Sequence, residues 1–300
     1  MQETKFIWMN GNFIPWQDAK IHVLAHALHY GTGVFEGIRT YATAKGPAVF
    51  QLEKHIDRFL YGASCLRMQV PYTKQQLMEA VAATIRKNGI KECYVRPIMY
   101  YGYGELRVNP AGCPVDAAIA VWPWGAYLGN AAITAKVSKV VRIHPQTSAT
   151  DAKITGHYVN SMLAGLDAVD AGYTEAIQLD YEGNIAEGTG ENFFIVKNGV
   201  IATPPLGTIL AGITRMSVIT LARDLGFVIE ERPISLDEAL QADECFFTGT
   251  ATEIAGIGKI DDTEFKGAPG PVTAKLTEAF QAIVKGESEK YYHWLTFVNA

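Results

Sequence analysis

Asn192-Phe-Phe-Ile-Val-Lys-Asn-Gly-Val-Ile-Ala-Thr203 is the stretch on which the fold class turns. Two apolar runs flank Asn198-Gly199, a dipeptide suited to a two-residue hairpin because both central positions of that turn need a positive φ. Asn192 to Lys197 and Val200 to Thr203 therefore read as paired strands. Upstream, Glu175 to Asp180 reads as another strand, followed by a turn through Glu182-Gly-Asn184. Ala48 to Leu52, Cys93 to Tyr101 and Asp116 to Trp122 read as strands from their β-branched and aromatic content. Helices lie among them. Thr73 to Asn88 carries Leu77, Val81 and Ile85 at helical spacing, Thr73 with Gln76 resembles a capping box, and Gly89 stops the run. Tyr158 to Val169 is helical, with Met162, Leu163, Leu166 and Val169 on one side. Thr214 to Leu225, ending at Gly226, and Val272 to Val284 are two more helices. Strands and helices mix without strict βαβ alternation, which predicts an α+β (mixed α/β) protein in two subdomains. Trp122-Pro-Trp-Gly-Ala-Tyr-Leu-Gly-Asn130 reads as the crossover. The expected boundaries are 1–122 for a small N-terminal α/β subdomain, 123–133 for a linker and 134–300 for a larger C-terminal subdomain.

Composition narrows the class. The chain has 300 residues, 48% of them apolar, enough for a sizeable core. Its 26 basic and 31 acidic residues leave a net charge of -5, which gives no reason to expect nucleic acid or an anionic membrane as partner. No apolar run approaches membrane-spanning length, and Met1-Gln-Glu-Thr-Lys5 lacks the character of a secretory signal. Cys65, Cys93, Cys113 and Cys245 are scattered, with no zinc or redox spacing, as in reduced cytoplasmic proteins.

Four segments of the second half can carry chemistry. In Thr150-Asp-Ala-Lys153-Ile-Thr-Gly-His-Tyr158, a lysine stands in a polar turn just before a largely apolar helix. A desolvated lysine loses pKa and forms a Schiff base with an aldehyde, whereas a solvated one is an ordinary surface group. In Ile185-Ala-Glu187-Gly-Thr-Gly-Glu191-Asn192, glycines let a planar ligand approach and Glu187 can accept from a protonated pyridine nitrogen. A plain glycine turn with solvated carboxylates is equally open. Leu210-Ala-Gly212-Ile213-Thr214-Arg215 opens a helix whose free N–H groups suit a phosphate, unless Thr214 is simply an N-cap. Phe246-Phe-Thr248-Gly249-Thr250-Ala251-Thr252 ends a strand in hydroxyls and amides that suit phosphate or carboxylate oxygens, or make an ordinary turn.

Taken in order, Lys153, Glu187, Gly212-Ile-Thr214 and Thr248-Gly-Thr-Ala251 resemble the pyridoxal-phosphate-dependent class IV aminotransferases, and within them the branched-chain amino acid aminotransferases. His29-Tyr-Gly-Thr-Gly-Val-Phe-Glu-Gly-Ile-Arg39, His55-Ile-Asp-Arg58, Tyr94-Val-Arg96-Pro and Trp122-Pro-Trp-Gly-Ala-Tyr127 add to the likeness. It runs from Trp8-Met-Asn-Gly-Asn-Phe13 to Gly286-Glu287.

The resemblance implies fold type IV, with the active site between two subdomains joined by a short linker. It implies pyridoxal 5′-phosphate on Lys153, which also shuttles the proton. Glu187 would partner the pyridine nitrogen and Tyr158 the ring oxygen. Arg58, the Ile213 and Thr214 amides and Thr250 would hold the phosphate, and Leu210 would pack on the ring. Tyr30, Phe35, Gly37, Tyr94, Arg96, Tyr127, Thr250 and Ala251 match substrate-pocket positions. Arg96, with the tyrosine hydroxyls, can meet the second carboxylate of glutamate.

The implied reaction moves the amino group of L-leucine, L-isoleucine or L-valine to 2-oxoglutarate, so the partners are small amino acids and 2-oxo acids. A homodimer at least is implied, with hexamers open, because a loop serves the neighbouring pocket. In that loop, Leu106-Arg107 departs from the smaller residues usual before Val108, so Arg107 adds carboxylate affinity, changes the substrate range, or is solvated.

Rivals of the same fold are a D-amino acid aminotransferase, an (R)-amine transaminase and an aminodeoxychorismate lyase. Rivals of other classes are a catalytically silent cofactor binder and a cofactor-free binding module. His22, His26 and His29 have a spacing that can gather imidazoles for a metal, but the surrounding segment is apolar and reads better as packed, hydrogen-bonded histidines. Gly31-Thr-Gly33 and Gly102-Tyr-Gly104 lack the dinucleotide fingerprint, and neither a nucleophile elbow nor a P-loop is present.

Overall fold

The structure is a computed structural model that describes residues 2–124 and 133–299. Tyr127 and much of the expected linker lie outside the described residues.

By internal contacts the chain divides into two units. The first comprises Met1–Gly125, Ala152–Gly156 and Ala282–Ala300. It carries strands β1 (Phe6–Met9), β2 (Asn12–Pro15), β3 (Gly33–Phe35), β4 (Ile38–Thr43), β5 (Gly46–Phe50), β6 (Cys93–Tyr101) and β7 (Val115–Trp122). Its helices are α1 (His26–Tyr30), α2 (Leu52–Cys65) and α3 (Lys74–Asn88). β6 is the axis, pairing antiparallel with β3, β4 and β7. α3 starts where the sequence places it: Gln76 N donates to Thr73 Oγ1 at 3.2 Å, Thr73 N donates to Gln76 Oε1 at 2.8 Å, and Gly89 ends the helix at φ 66°. α2 begins at Leu52, so the strand expected over Ala48 to Leu52 ends at Phe50. The histidine face does not form, because α1 begins only at His26 and leaves His22 outside it. Buried His26 instead bonds Thr32 Oγ1 and the Arg107 carbonyl oxygen, and His22 stacks on Tyr103.

The second unit comprises Ala126–Asp151 and His157–Gln281. Its strands are β8 (Ile133–Val137), β9 (Glu175–Leu179), β10 (Ile185–Gly188), β11 (Asn192–Lys197), β12 (Val200–Thr203), β13 (Ile229–Glu231), β14 (Glu244–Gly249), β15 (Glu253–Ile260) and β16 (Thr263–Glu264). α4 (Tyr158–Asp170), α5 (Ile213–Asp224), α6 (Leu236–Leu240) and α7 (Pro271–Val284) complete the helices. A final strand, β17 (Leu295–Phe297), pairs with β5 of the first sheet.

In the second sheet β8 runs parallel to β9 and β15, and β12 parallel to β13, while the other pairings are antiparallel. β10 pairs with β11 as well as β9, so the path β10-β9-β8-β15-β14-β11 closes on itself in barrel fashion. One core cluster includes Ile133, Ile177, Ile185, Phe193, Ile195, Phe247 and Ile257. Phe194 and Phe246, fully buried on the alternate side of their strands, stack at 4.8 Å. Each such side chain contributes about 1.5–3 kcal/mol through burial. Asn198 and Gly199 adopt φ 50° and 76°, the hairpin geometry their sequence requires.

α4 turns its small residues inward. Ala164 and Ala168 form a buried cluster with Ala176 of β9, while Met162, Leu163, Leu166 and Val169 are each about half exposed. Alanines allow the helix to lie close on the strand, and that contact outweighs the size of the apolar side chains opposite.

Candidate functional site

Lys153 is placed by main chain. Its carbonyl accepts from Phe35 N at 3.1 Å, Ile154 bridges to Val34, and Gly156 N donates to Gly31 O at 3.0 Å. The approach at Gly31 is so close that an added Cβ would stand 2.7 Å from Gly156 Cα. Thr155 Oγ1 donates to Gly31 O at 2.7 Å and accepts from Gly33 N at 3.0 Å. The segment thus lies along β3 as an added piece of strand.

Part of Lys153 remains exposed, but its amine is enclosed. Loss of water and the cationic Arg58 lower its pKa to about 8, with Arg96 adding to the fall and Glu36 and Tyr94 opposing it. The Phe35 ring centroid lies 4.8 Å from the Lys153 ammonium and 4.9 Å from the Arg96 guanidinium. Tyr94 and Arg96 alternate on β6, and Arg96 Nη2 donates to Tyr94 Oη at 3.4 Å. The Tyr94 ring tilts against Trp122 and Trp124, and its hydroxyl occupies the space of a side chain at Gly37, where a Cβ would stand 1.9 Å from the oxygen. Arg96 Nε is buried without a partner among the described residues. Arg58 lies on α2 and forks onto Glu36. These residues gather in the first unit. Tyr30 ends α1 partly exposed, and Arg107 is largely exposed, 3.3 Å from Glu105.

In the second unit Glu187 is the register partner of Asn192 where the barrel closes. The β9–β10 pairing shifts register between Ile185 and Glu187, and such bulges re-aim side chains. Glu187 Oε1 accepts from Arg142 Nε at 2.7 Å. Its Oε2 accepts from Asn192 Nδ2 at 3.0 Å and from Leu210 N at 3.1 Å. The pair with Arg142 is buried on both sides, an arrangement that persists only with such donors. Asn192 also donates to Leu210 O and leaves no room beyond hydrogen at Gly212, where a Cβ would stand 1.8 Å from Asn192 Oδ1. α5 then begins at Ile213, one residue before the sequence expectation. Its N-cap is Gly212, no side chain caps the first turn, and Thr214 lies inside the helix rather than at its cap. Thr250 and Ala251 occupy the turn between β14 and β15, beside Thr248, whose buried hydroxyl has no partner among the described residues. Tyr158 opens α4.

Arg142, Glu36 and His55 have no role in the sequence reading. A charged residue inside an apolar run, as in Val140-Val-Arg142-Ile and Val34-Phe-Glu36-Gly-Ile, is the signal that points to them.

The residues present fit a phosphorylated pyridine aldehyde. An enclosed amine of lowered pKa suits the aldehyde, and a clamped carboxylate suits a ring N–H. An uncapped helix start behind a glycine that tolerates no Cβ suits a phosphate. Among the described residues no cluster suits a metal ion.

Comparison with known proteins agrees with that chemistry. The family described as Amino-transferase class IV matches residues 33–260. A Pseudomonas aeruginosa protein named branched-chain-amino-acid aminotransferase is 44% identical over 298 residues, 98% of this chain and 97% of that protein. The crystal structure of the T.th. branched-chain amino acid aminotransferase with pyridoxamine 5′-phosphate superposes with a TM-score of 0.97 at 45% identity, covering 100% of both chains. The same enzyme complexed with N-(5′-phosphopyridoxyl)-L-glutamate matches equally well, with a TM-score of 0.97 and 45% identity over 100% of both chains.

Proposed function

The chain belongs to the class IV aminotransferases, and from that premise we propose the division of labour by which it moves amino groups from L-leucine, L-isoleucine and L-valine to 2-oxoglutarate. It is a pyridoxal-phosphate-dependent branched-chain aminotransferase of fold type IV, giving branched 2-oxo acids and L-glutamate. Bound pyridoxal 5′-phosphate supplies an aldehyde that takes up the amino group and a cationic ring that draws electron density from the substrate Cα.

Lys153 carries the cofactor and, as a neutral amine, takes the proton from the substrate Cα. Its pKa of about 8 leaves roughly a tenth of the amine neutral at pH 7, far more than an ordinary lysine offers. Glu187, held by Arg142, Asn192 and the Leu210 amide, accepts the ring N–H, with three donors fixing the direction of its carboxylate. Arg58, the Ile213 and Thr214 amides and Thr250 take the phosphate, Tyr158 the ring oxygen, and Leu210 packs on the ring. Phe35, Gly37, Tyr94 and Ala251, with Tyr30 and Tyr127, form the wall for an aliphatic side chain. Arg96, whose Nε lacks a partner among the described residues, receives the distal carboxylate of glutamate. Arg107 is open to a carboxylate brought by a neighbouring subunit's substrate.

The observation that carries this reading is the enclosed Lys153 amine beside Arg58 and Glu36. The test is the absorbance of the purified protein before and after L-leucine, with initial rates on L-valine, D-alanine and (R)-1-phenylethylamine. Lys153→Ala should lose at least about 10^3-fold in transamination. Inactivity on L-leucine, L-isoleucine and L-valine together would overturn the substrate assignment.

The protein works as a homodimer at least, supported by the half-exposed apolar row on α4. A cytoplasmic site of action is supported by Cys65, Cys93, Cys113 and Cys245, all free thiols. No described helix is long and apolar enough to cross a membrane.

A further inference from the structure

Glu36 stands between two pocket residues, Phe35 and Gly37, and is wholly buried. A carboxylate withdrawn from water is costly unless charge and donors surround it. Glu36 has both. Its Oε1 accepts from Arg58 Nε at 2.6 Å, and its Oε2 accepts from Arg58 Nη2 at 2.9 Å, His55 Nδ1 at 2.8 Å and Gly37 N at 3.2 Å. Nε and Nη2 are neighbouring corners of one rigid plane, so gripping both fixes the tilt and roll of the guanidinium. His55 is buried too, and burial holds its pKa below the ordinary value against the pull of Glu36. Because a carboxylate cannot donate, the Nδ1 atom must carry the proton, and this fixes the tautomer. Glu36 is engaged on both oxygens and held well below the usual carboxylate range by Arg58 and His55, so it has no part as an acid or base.

We propose that Glu36, backed by His55, is a positioning residue that locks the Arg58 guanidinium in the orientation in which Arg58 meets the cofactor phosphate. This rests on the assignment of Arg58 to the phosphate made above. The arrangement has a second effect. Among the charged and titratable groups acting on the Lys153 amine are Arg58 and His55 on α2, Tyr94 and Arg96 on β6, and Glu36 after β3. Glu36 offsets Arg58 there, so its removal leaves the cation unopposed and pushes the amine further toward its neutral form.

The test uses the full-length chain freed of cofactor, titrated with pyridoxal 5′-phosphate and separately with pyridoxal, which lacks the phosphate. Glu36→Gln should weaken pyridoxal 5′-phosphate about 10-fold, as when a group that orients a ligand's partner is lost, and leave pyridoxal within about 2-fold. In an Arg58→Gln background Glu36→Gln should cost almost nothing more, since the two act as one unit. The pH midpoint for labelling the Lys153 amine should fall below that of the unaltered chain. His55→Phe, which keeps the fork but loses one donor, should show the same pattern at about 3-fold; if Glu36→Gln fails to fold, this variant decides alone. The proposal is overturned by unchanged phosphate-cofactor affinity in Glu36→Gln or His55→Phe, by equal loss of both ligands, or by full additivity with Arg58→Gln. Unchanged affinity in Arg58→Gln itself would instead remove the phosphate assignment beneath it.

Discussion

At the scale of single residues, burial without alternatives decides the chemistry. Gly37 shows this, because the Tyr94 hydroxyl fills the space a side chain would need. Gly37→Ala should cost about 1–3 kcal/mol through overpacking, lowering the melting temperature, and, by displacing Tyr94, raise KM for branched substrates. Steady-state kinetics beside thermal unfolding checks this.

Glu191 offers a test by pH. It is buried close to Glu175, and burial together with that second carboxylate pushes its pKa up. A raised carboxyl means that the folded chain holds a proton the unfolded chain releases once pH exceeds the ordinary value of 4.5. Stability from this group is therefore present at low pH and falls as pH rises through the raised value. Glu191→Gln should flatten that fall, read as denaturation midpoints from pH 5 to 9 (roughly spanning the window); an unchanged slope would contradict it. Lys153 and Glu187 were legible as candidates because their neighbours, a polar turn and a glycine-flanked strand, have local signatures. Arg142 and Glu36 were not, because their partners lie far along the chain: Arg142 meets Glu187, and Glu36 meets Arg58 from the next helix.

At the scale of elements, local rules give boundaries and tertiary contact gives facing. The capping box of α3 and the Asn198-Gly199 hairpin needed only neighbouring residues and stand where the sequence puts them. Thr73→Ala should remove about 1 kcal/mol, seen as a lower urea midpoint at unchanged slope. α4 shows the limit. Its apolar row is evident from spacing, but spacing does not tell whether the sheet takes the leucines or the alanines, and the strand accepted Ala164 and Ala168. α2 went unread because its apolar residues Ile56 and Phe59 are interrupted by His55 and Arg58, whose burial depends on Glu36.

At the scale of the whole molecule, one antiparallel sheet and one mixed sheet follow from the absence of strict alternation, as expected of an α+β chain. The closure of β10 onto β11 was not legible, since it joins strands separated by a turn whose glycines allow several courses. The half-exposed row on α4 belongs to this scale as well. If copies of the chain meet there, Leu166→Glu combined with Met162→Glu should shift sedimentation to a smaller species while leaving far-ultraviolet dichroism unchanged, because both side chains stand half exposed on α4, outside the buried alanine cluster. An unaltered sedimentation coefficient would rule out that face.

The docking of Lys153 has an evolutionary corollary. Amide-to-carbonyl links from Phe35 and Gly156 hold its segment, and those atoms are common to nearly every amino acid. Substitutions in the lining can therefore reshape what the cavity admits while the reactive nitrogen keeps its place, so a change of diet for the enzyme need not disturb its chemistry.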